Sequence, residues 1–213
     1  MAAEHSVDVL VLAENGVPQP EVRAALAART GYLYDSDPLS RGVELYTRFS
    51  LAAAPAPEVS EEGFYIRELP LSPRGVLLVL LHFPSKLRLS DADQAALCPG
   101  YVQQICSVEE RRGHRRTMVV GDLNMNPYEP GVVGATGFHA VPSHRDAARG
   151  ERTVHRRSYP LFYNPMWNCF GDERGGPPGT FFYDKSRNQP RARASRSSGV
   201  WSRSLASTKR PES

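Results

Sequence analysis

The sequence predicts an α/β fold, on three observations. Near-continuous apolar runs recur as "VDVLVLAEN", "RGVLLVLLHF" and "TMVVGDLN", and such runs suit strands covered on both faces. Stretches with helical spacing and stop signals fall between them. Each apolar run ends in a polar group: Glu14, then His82, then Asp122 with Asn124. Where strands alternate with helices, their carboxyl ends collect on one edge, and ligands bind there.

Each element follows from its residues. "PQPEVRAALAART" has Pro near its start and Gly just after its end, which predicts a short helix. "VELYTRFS" alternates as a strand does, and "LAAAPAPEVSEEG" reads as a Pro/Ala loop. "GFYIRELPL" and "RGVLLVLLHF" predict two strands joined by the turn "SPRG". "SDADQAALCPGYVQQICSVEERRGHRR" opens with Ser90 as N-cap and acids in its first turn, and closes on basic residues. That order suits a helix and its dipole, with Pro99 expected to kink or split it. "PYEPGVVGATGFHAV" reads as a Pro-initiated helical turn and a return strand, and the segment from Tyr159 to Ser186 is aromatic and turn-rich.

A chain of 213 residues suits one domain, or one domain with a tail. An apolar content of 40% is low for a chain packed throughout. The composition changes after Ser186. Residues 187–213 hold six Arg and one Lys against one Glu, a net of +6. The whole chain carries +3, so residues 1–186 carry −3. The Arg/Ser-rich tail cannot bury enough surface to offset its chain entropy, which predicts disorder over 187–213. The mildly acidic remainder announces no basic groove for nucleic acid. No apolar run approaches the roughly 20 residues of a membrane span, and "MAAEHSVDVL" lacks the basic-then-apolar pattern of a secretory leader. Cys98, Cys106 and Cys169 are odd in number and without paired spacing, which predicts reduced thiols and a cytoplasmic location. The first two fall in a helical pattern, as small buried apolar side chains do. The sequence leaves the oligomeric state open.

The strand ends carry the chemistry. Asp122 and Asn124 are two residues apart, so an extended chain points both to one side and Leu123 into packing. Gly121 admits something close to the backbone. Taken singly, each group has an ordinary reading: a solvated Glu, a hydrogen-bonded His, an Asp-x-Asn of turn and cap chemistry. Four such groups on one edge favour a site. His139, His144 and His155 read as surface residues. Tyr163, Trp167 and Phe170 of "FYNPMWNCF" either line a pocket and stack a base, or simply pack.

These motifs carry a resemblance. "GDLNMNP" resembles the Gly-Asp-Phe-Asn signature of the endonuclease/exonuclease/phosphatase superfamily, with Leu123 in place of Phe. "DVLVLAE" is similar to that family's early strand ending in a metal-binding Glu, and "LLVLLHFPSK" resembles its middle strand ending in a His. The order and spacing match over roughly residues 7–186. The resemblance implies a four-layer α/β/β/α sandwich of two mixed sheets flanked by helices, incomplete here. It also implies Mg²⁺-dependent hydrolysis of a phosphodiester or phosphomonoester, with Mn²⁺ as the substitute ion and nucleic acid among the substrates. Glu14 would hold the metal, Asp122 orient and deprotonate water, Asn124 hold a phosphate oxygen and His82 donate to one. Tyr163 and Trp167 would bind substrate.

Two parts of the family pattern are not found. Members usually have an Asn-bearing strand shortly before the Glu strand, and a closing Asp-His pair. No Asp-His occurs in these 213 residues. The expectation is a domain short at both ends, impaired in activity, whose residues 187–213 read as an out-of-frame end. A genuine basic tail for RNA or an acidic partner is the alternative. The functional expectation is accordingly a metal-dependent phosphoester hydrolase, with a non-catalytic remnant or interaction protein as the competing class.

Overall fold

The structure is a computed structural model. It describes residues 5–52, 54–71 and 75–169, together with the backbone of strands at 181–182, 194–195 and 198–203. The chain divides into two compact units, Met1–Phe83 with Val119–Leu123, and Pro84–Met118 with Asn124–Ser213. Secondary structure is mixed α/β with several sheets, the class the apolar runs predict.

The first unit begins with β1 (Val9–Ala13), the helix α1 (Gln19–Thr30), β2 (Asp35–Ser36) and β3 (Val43–Thr47). The helix starts with Pro in its first turn and stops at Gly31, whose left-handed backbone returns its amide to Ala27. Strand order is β1-β3-β2, all antiparallel, with Val9 opposite Thr47 and Ala13 opposite Val43. The unbroken apolar run of β1 does not mean burial on both faces: its five residues are each half-buried. The strand is an edge of this sheet. Val9, Val11 and Ala13 face the core, while the strand between its two neighbours, β3, is the buried one.

A second sheet follows with β4 (Val59–Glu61), β5 (Phe64–Leu69), β6 (Val76–His82) and β7 (Thr117–Asp122). Its order in this unit is β4-β5-β6-β7. The expected hairpin forms with Phe64 opposite Leu81 and Leu69 opposite Val76. Its turn residues 72–74 lie outside the described residues. The end of the expected Pro/Ala loop pairs as β4 instead, with Val59 opposite Ile66. Leu78 and Leu80 join Val43, Leu45, Tyr65 and Leu69 in the core between the two sheets. Leu77, Val79 and Leu81, on the other face of β6, are also fully buried. Here the two-sided reading of an apolar run holds. It fails in β7, where Met118 is exposed between buried Thr117 and Val119.

One polar cluster ties this core together. Asp37 is buried and accepts hydrogen bonds from the Tyr65 hydroxyl and the Arg67 guanidinium. The second guanidinium nitrogen donates to the carbonyls of Leu51 (2.8 Å) and Ala54 (3.3 Å), which pins the following loop on β5. Burial first, then the Asp37 carboxylate, holds the Tyr65 phenol far above its ordinary range.

The second unit opens with α2 (Asp91–Arg112), the longest helix. Ser90 caps it as expected, in a capping box: its hydroxyl accepts from the Asp93 amide at 3.2 Å, and the Asp93 carboxylate accepts from the Ser90 amide at 3.0 Å. Ser90→Ala should therefore cost about 1 kcal/mol, read as a lower urea midpoint. The helix is not split at Pro99. The ring removes one amide donor in mid-helix, and the turns on either side hold. Cys98 is buried, as its helical spacing suggested, and burial pushes its thiol up to about 12.

After β7 come α3 (Pro130–Val133), β8 (Ala140–Val141), α4 (His144–Ala147), β9 (Glu151–Val154), β10 (Arg157–Pro160), β11 (Phe162–Tyr163) and a 3₁₀ turn at Pro165–Cys169. The remaining strands are β12 (Phe181–Phe182), β13 (Ala194–Ser195) and β14 (Ser198–Arg203). β8 pairs parallel with β11, and β11 pairs antiparallel with β14. Of the expected disordered tail, only β13 and β14 are described, as strand, and the rest lies outside the described residues. No described helix is long and apolar enough to cross a membrane.

The β9–β10 hairpin was not expected. Its two-residue turn is His155-Arg156, both in the left-handed region at φ 46° and 65°. Such turns favour Asn-Gly because both residues need positive φ, so the usual signal is missing. His155 and His144 are exposed, as read from the sequence, but His139 is not. It is 3% exposed at φ 50°, with its ring edge-on to Tyr159.

Candidate active site

Three of the strand-end groups lie in the first unit. Glu14 follows β1 immediately, in the left-handed region at φ 53°. A non-glycine residue there is strained, and such strain collects at functional sites. Asn15 sets the bend: its amide nitrogen donates to Glu44 Oε2 (2.7 Å) and to the Val17 carbonyl (2.9 Å), and its oxygen accepts from the Val17 amide. Glu44 on β3 also takes the Tyr46 hydroxyl at 2.5 Å. Burial and this carboxylate push the Tyr46 phenol well up. Held in this way, Glu14 presents an exposed carboxylate whose Oε1 lies 3.5 Å from His82 Nε2.

The C-terminal ends of β6 and β7 lie side by side, with the Phe83 amide donating to the Asp122 carbonyl at 2.8 Å. Two glycines make the fit. Gly63, at φ +71°, receives the His82 amide at 2.8 Å, and a Cβ there would press on the His82 carbonyl oxygen at 2.9 Å. On the other side, the group that Gly121 admits is the backbone of Leu81. Glu14, His82 and Asp122 thus stand at the ends of β1, β6 and β7. His82 and Asp122 are half-buried.

Asn124 belongs to the second unit. The strand stops at Asp122, Leu123 is buried, and Asn124 sits at φ 50°. The extended alternation that would aim Asp122 and Asn124 together ends before it reaches Asn124. Buried Gln94 of α2 donates to the carbonyls of Pro84 (2.8 Å) and Asn124 (3.3 Å), and so clamps the two loops that leave β6 and β7. A second clasp holds the same loops. The Lys86 ammonium meets Glu129 at 2.5 Å and Asp91 at 2.9 Å, and the Asn126 amide donates to Glu129. Burial alone would lower Lys86, but its hydrogen bonds to Asp91 and Glu129 outweigh that and raise it.

Tyr163 and Trp167 are also in the second unit, both half-buried, with the Tyr163 ring 4.7 Å from that of His144. Phe170 lies outside the described residues. Asn15, Glu44 and Gly63 were not legible as site residues. Glu44 is one acid in an alternating strand, and only the register that sets it opposite Leu12 brings it beside the Glu14 turn.

No family model matches the sequence, and no curated protein matches it. Solved structures do match in three dimensions. TDP2 of D. rerio, complexed with single-strand DNA product, superimposes with a TM-score of 0.56 at 15% identity, over 96% of this chain and 74% of that one. Truncated C. elegans TDP2 gives 0.56 at 16% identity, over 95% and 73%. ANGEL2, a 2′,3′-cyclic phosphatase in complex with adenosine-2′,3′-vanadate, gives 0.56 at 13% identity, over 95% and 72%. These neighbours belong to the endonuclease/exonuclease/phosphatase superfamily. The chain has the endonuclease/exonuclease/phosphatase fold. The sandwich implied by "GDLNMNP" is thereby recovered in part, with one helix and two sheets in the first unit and α2 in the second.

The donor set suits a hard divalent ion. Among the described residues no three His, Cys, Asp or Glu side chains stand close enough together to hold a metal ion by themselves. Mg²⁺ does not need such a cluster, because it takes one or two carboxylates and fills its other positions with water and phosphate oxygens. Glu14, exposed and held by its turn, is such a carboxylate.

Proposed function

We propose that the protein is a metal-dependent phosphoester hydrolase of the endonuclease/exonuclease/phosphatase type. The observation that carries this reading is the gathering of Glu14, His82 and Asp122 at three strand ends, with Glu14 within 3.5 Å of His82 and the ends of β6 and β7 side by side. The TDP2 and ANGEL2 structures, with a DNA product in one and a vanadate in the other, support phosphoester chemistry on this fold.

Glu14 is the residue that would hold Mg²⁺, or Mn²⁺ in its place. The ion would supply charge to offset that of the phosphate and of the attacking oxygen. Asp122 orients the attacking water and removes its proton. His82 presents Nε2 to the same edge, where it donates to a phosphate oxygen as charge develops. Asn124, Tyr163 and Trp167 belong to the second unit, and their part in holding substrate rests on the sequence resemblance alone. The buried and half-buried free thiols of Cys98 and Cys106 fit a reducing, cytoplasmic setting.

Hydrolysis of bis(p-nitrophenyl) phosphate and of p-nitrophenyl phosphate, with Mg²⁺ and with chelator, tests the reading. Mg²⁺-dependent turnover that Glu14→Gln weakens supports it. Calorimetric titration of Glu14→Gln should show weaker Mg²⁺ binding than the parent, and equal affinity would put the ion elsewhere. The competing reading, a non-catalytic interaction protein, draws on the openness of Glu14, whose side chain is 78% exposed. No turnover on either ester at any Mg²⁺ concentration would favour it.

A further inference from the structure

We propose that the β9–β10 hairpin is an arm that grips the phosphate backbone of a nucleic-acid strand, which makes nucleic acid the substrate class of the hydrolase proposed above and rests on that reading.

The argument starts from charge. Residues 144–157 hold Arg145, Arg149, Arg152, Arg156 and Arg157 against Asp146 and Glu151, a net of +3. Residues 1–186 sum to −3, so the rest of that segment carries −6. Within residues 1–186, the stretch from α4 through the β9–β10 hairpin is therefore basic, while the rest of that segment is acidic in sum. All five Arg are exposed. Arg149 pairs with Asp146 at 3.4 Å, and Glu151 faces Arg115 at 4.0 Å. No ion pair among the described residues engages Arg152, Arg156 or Arg157.

The register sorts them. Tyr159 is opposite Arg152 and Val154 is opposite Arg157, so both strand Arg share one face of the ribbon with the half-buried Tyr159 ring. Arg156 stands at the tip, beside His155. Both tip residues hold positive φ, a backbone that costs about 1–2 kcal/mol for a side chain with Cβ. An imidazole and a guanidinium stand where Asn-Gly would be easier. Guanidinium forks are suited to phosphate oxygens, and cations beside an aromatic ring suit a strand with phosphates and bases.

Other anionic partners fit less well. A membrane-inserting arm needs apolar residues at its tip, and this tip is His155-Arg156 flanked by Val154 and Arg157, with exposed Thr153 and Ser158 behind. An acidic protein would need an apolar anchor at the interface centre, and the exposed hairpin positions are all polar.

The test compares the full chain with an Arg152→Ser/Arg156→Ser/Arg157→Ser variant of it. Both carry the same 187–213, so that segment cancels. Binding of fluorescein-labelled single- and double-stranded oligonucleotides is read by anisotropy across a salt series in chelator, where hydrolysis is off. The variant should bind at least about tenfold more weakly at low salt, and the slope of log K against log[salt] should fall by about 2, from three lost phosphate contacts. The corresponding Arg→Lys variant should keep the slope. Unchanged oligonucleotide affinity and slope would overturn the proposal, as would a loss seen only on anionic phosphatidylserine vesicles. Turnover of bis(p-nitrophenyl) phosphate is followed in parallel, because that ester carries a single phosphate and reports the hydrolase without a nucleic-acid strand. Retained oligonucleotide binding with normal turnover sinks the arm and leaves the hydrolase. Lost binding with no turnover in the parent leaves the arm as a contact and overturns the substrate assignment.

Discussion

Asp122→Asn is expected to lower Mg²⁺-dependent phosphoester hydrolysis by about a hundredfold to ten-thousandfold, with KM changed far less. The two side chains have the same shape, so the half-buried position at the end of β7 is filled as before. The difference is chemical. A carboxylate can take the proton of an attacking water, whereas an amide can only hold that water in place. In free energy the loss is about 2.7–5.4 kcal/mol of transition-state stabilisation. A folded variant with an unchanged urea midpoint and an unchanged rate would show that another group is the base. His82 would then be the first to examine, since its Nε2 already faces Glu14.

The legible part of this chain was the part with strong local chemistry. The capping box at Ser90, the Pro start and Gly31 stop of α1, and the apolar run of β6 up to His82 each write their structure into neighbouring residues. Three of the four strand-end polar groups were legible for the same reason: a carboxylate or imidazole closing an apolar run has few places to go but the sheet's edge. What was hidden depends on pairing. An unbroken run such as β1 reads as doubly buried, yet an edge strand with one face on Val43 and Leu45 has the same composition. The hairpin was hidden because its turn uses His155-Arg156, whose positive φ is maintained by the pairing of β9 with β10 rather than by glycine. Glu44 and Asn15 act at Glu14 only once β1 and β3 are in register. Within residues 1–186 the basic stretch was hidden because −6 in the rest of that segment outweighs its +3.

Gly121→Ala is expected to destabilise the protein by roughly 3 kcal/mol or more, a large share of the 5–15 kcal/mol that holds a typical domain. Two effects act at once. Gly121 has φ +150°, a conformation that residues with Cβ rarely adopt. The added methyl would also fall on the Leu81 carbonyl oxygen and within 2.8 Å and 3.0 Å of its carbon and nitrogen. These are backbone atoms of Leu81, itself fully buried in β6, and no flexible side chain is available to yield. Relief requires β6 and β7 to part. Parting breaks the hydrogen bond from the Phe83 amide to the Asp122 carbonyl and separates His82 from Asp122. The urea midpoint should fall with little change in slope, and hydrolysis by the folded remainder should fall with it. Gly100→Ala is the control. That glycine lies inside α2, and a Cβ there meets nothing within 4 Å. The change should stabilise by up to about 1 kcal/mol through helix propensity alone. Should Gly121→Ala keep the parent midpoint while Gly100→Ala raises it, the close approach of β6 and β7 is wrong. The placement of Asp122 beside His82 would then lose its support.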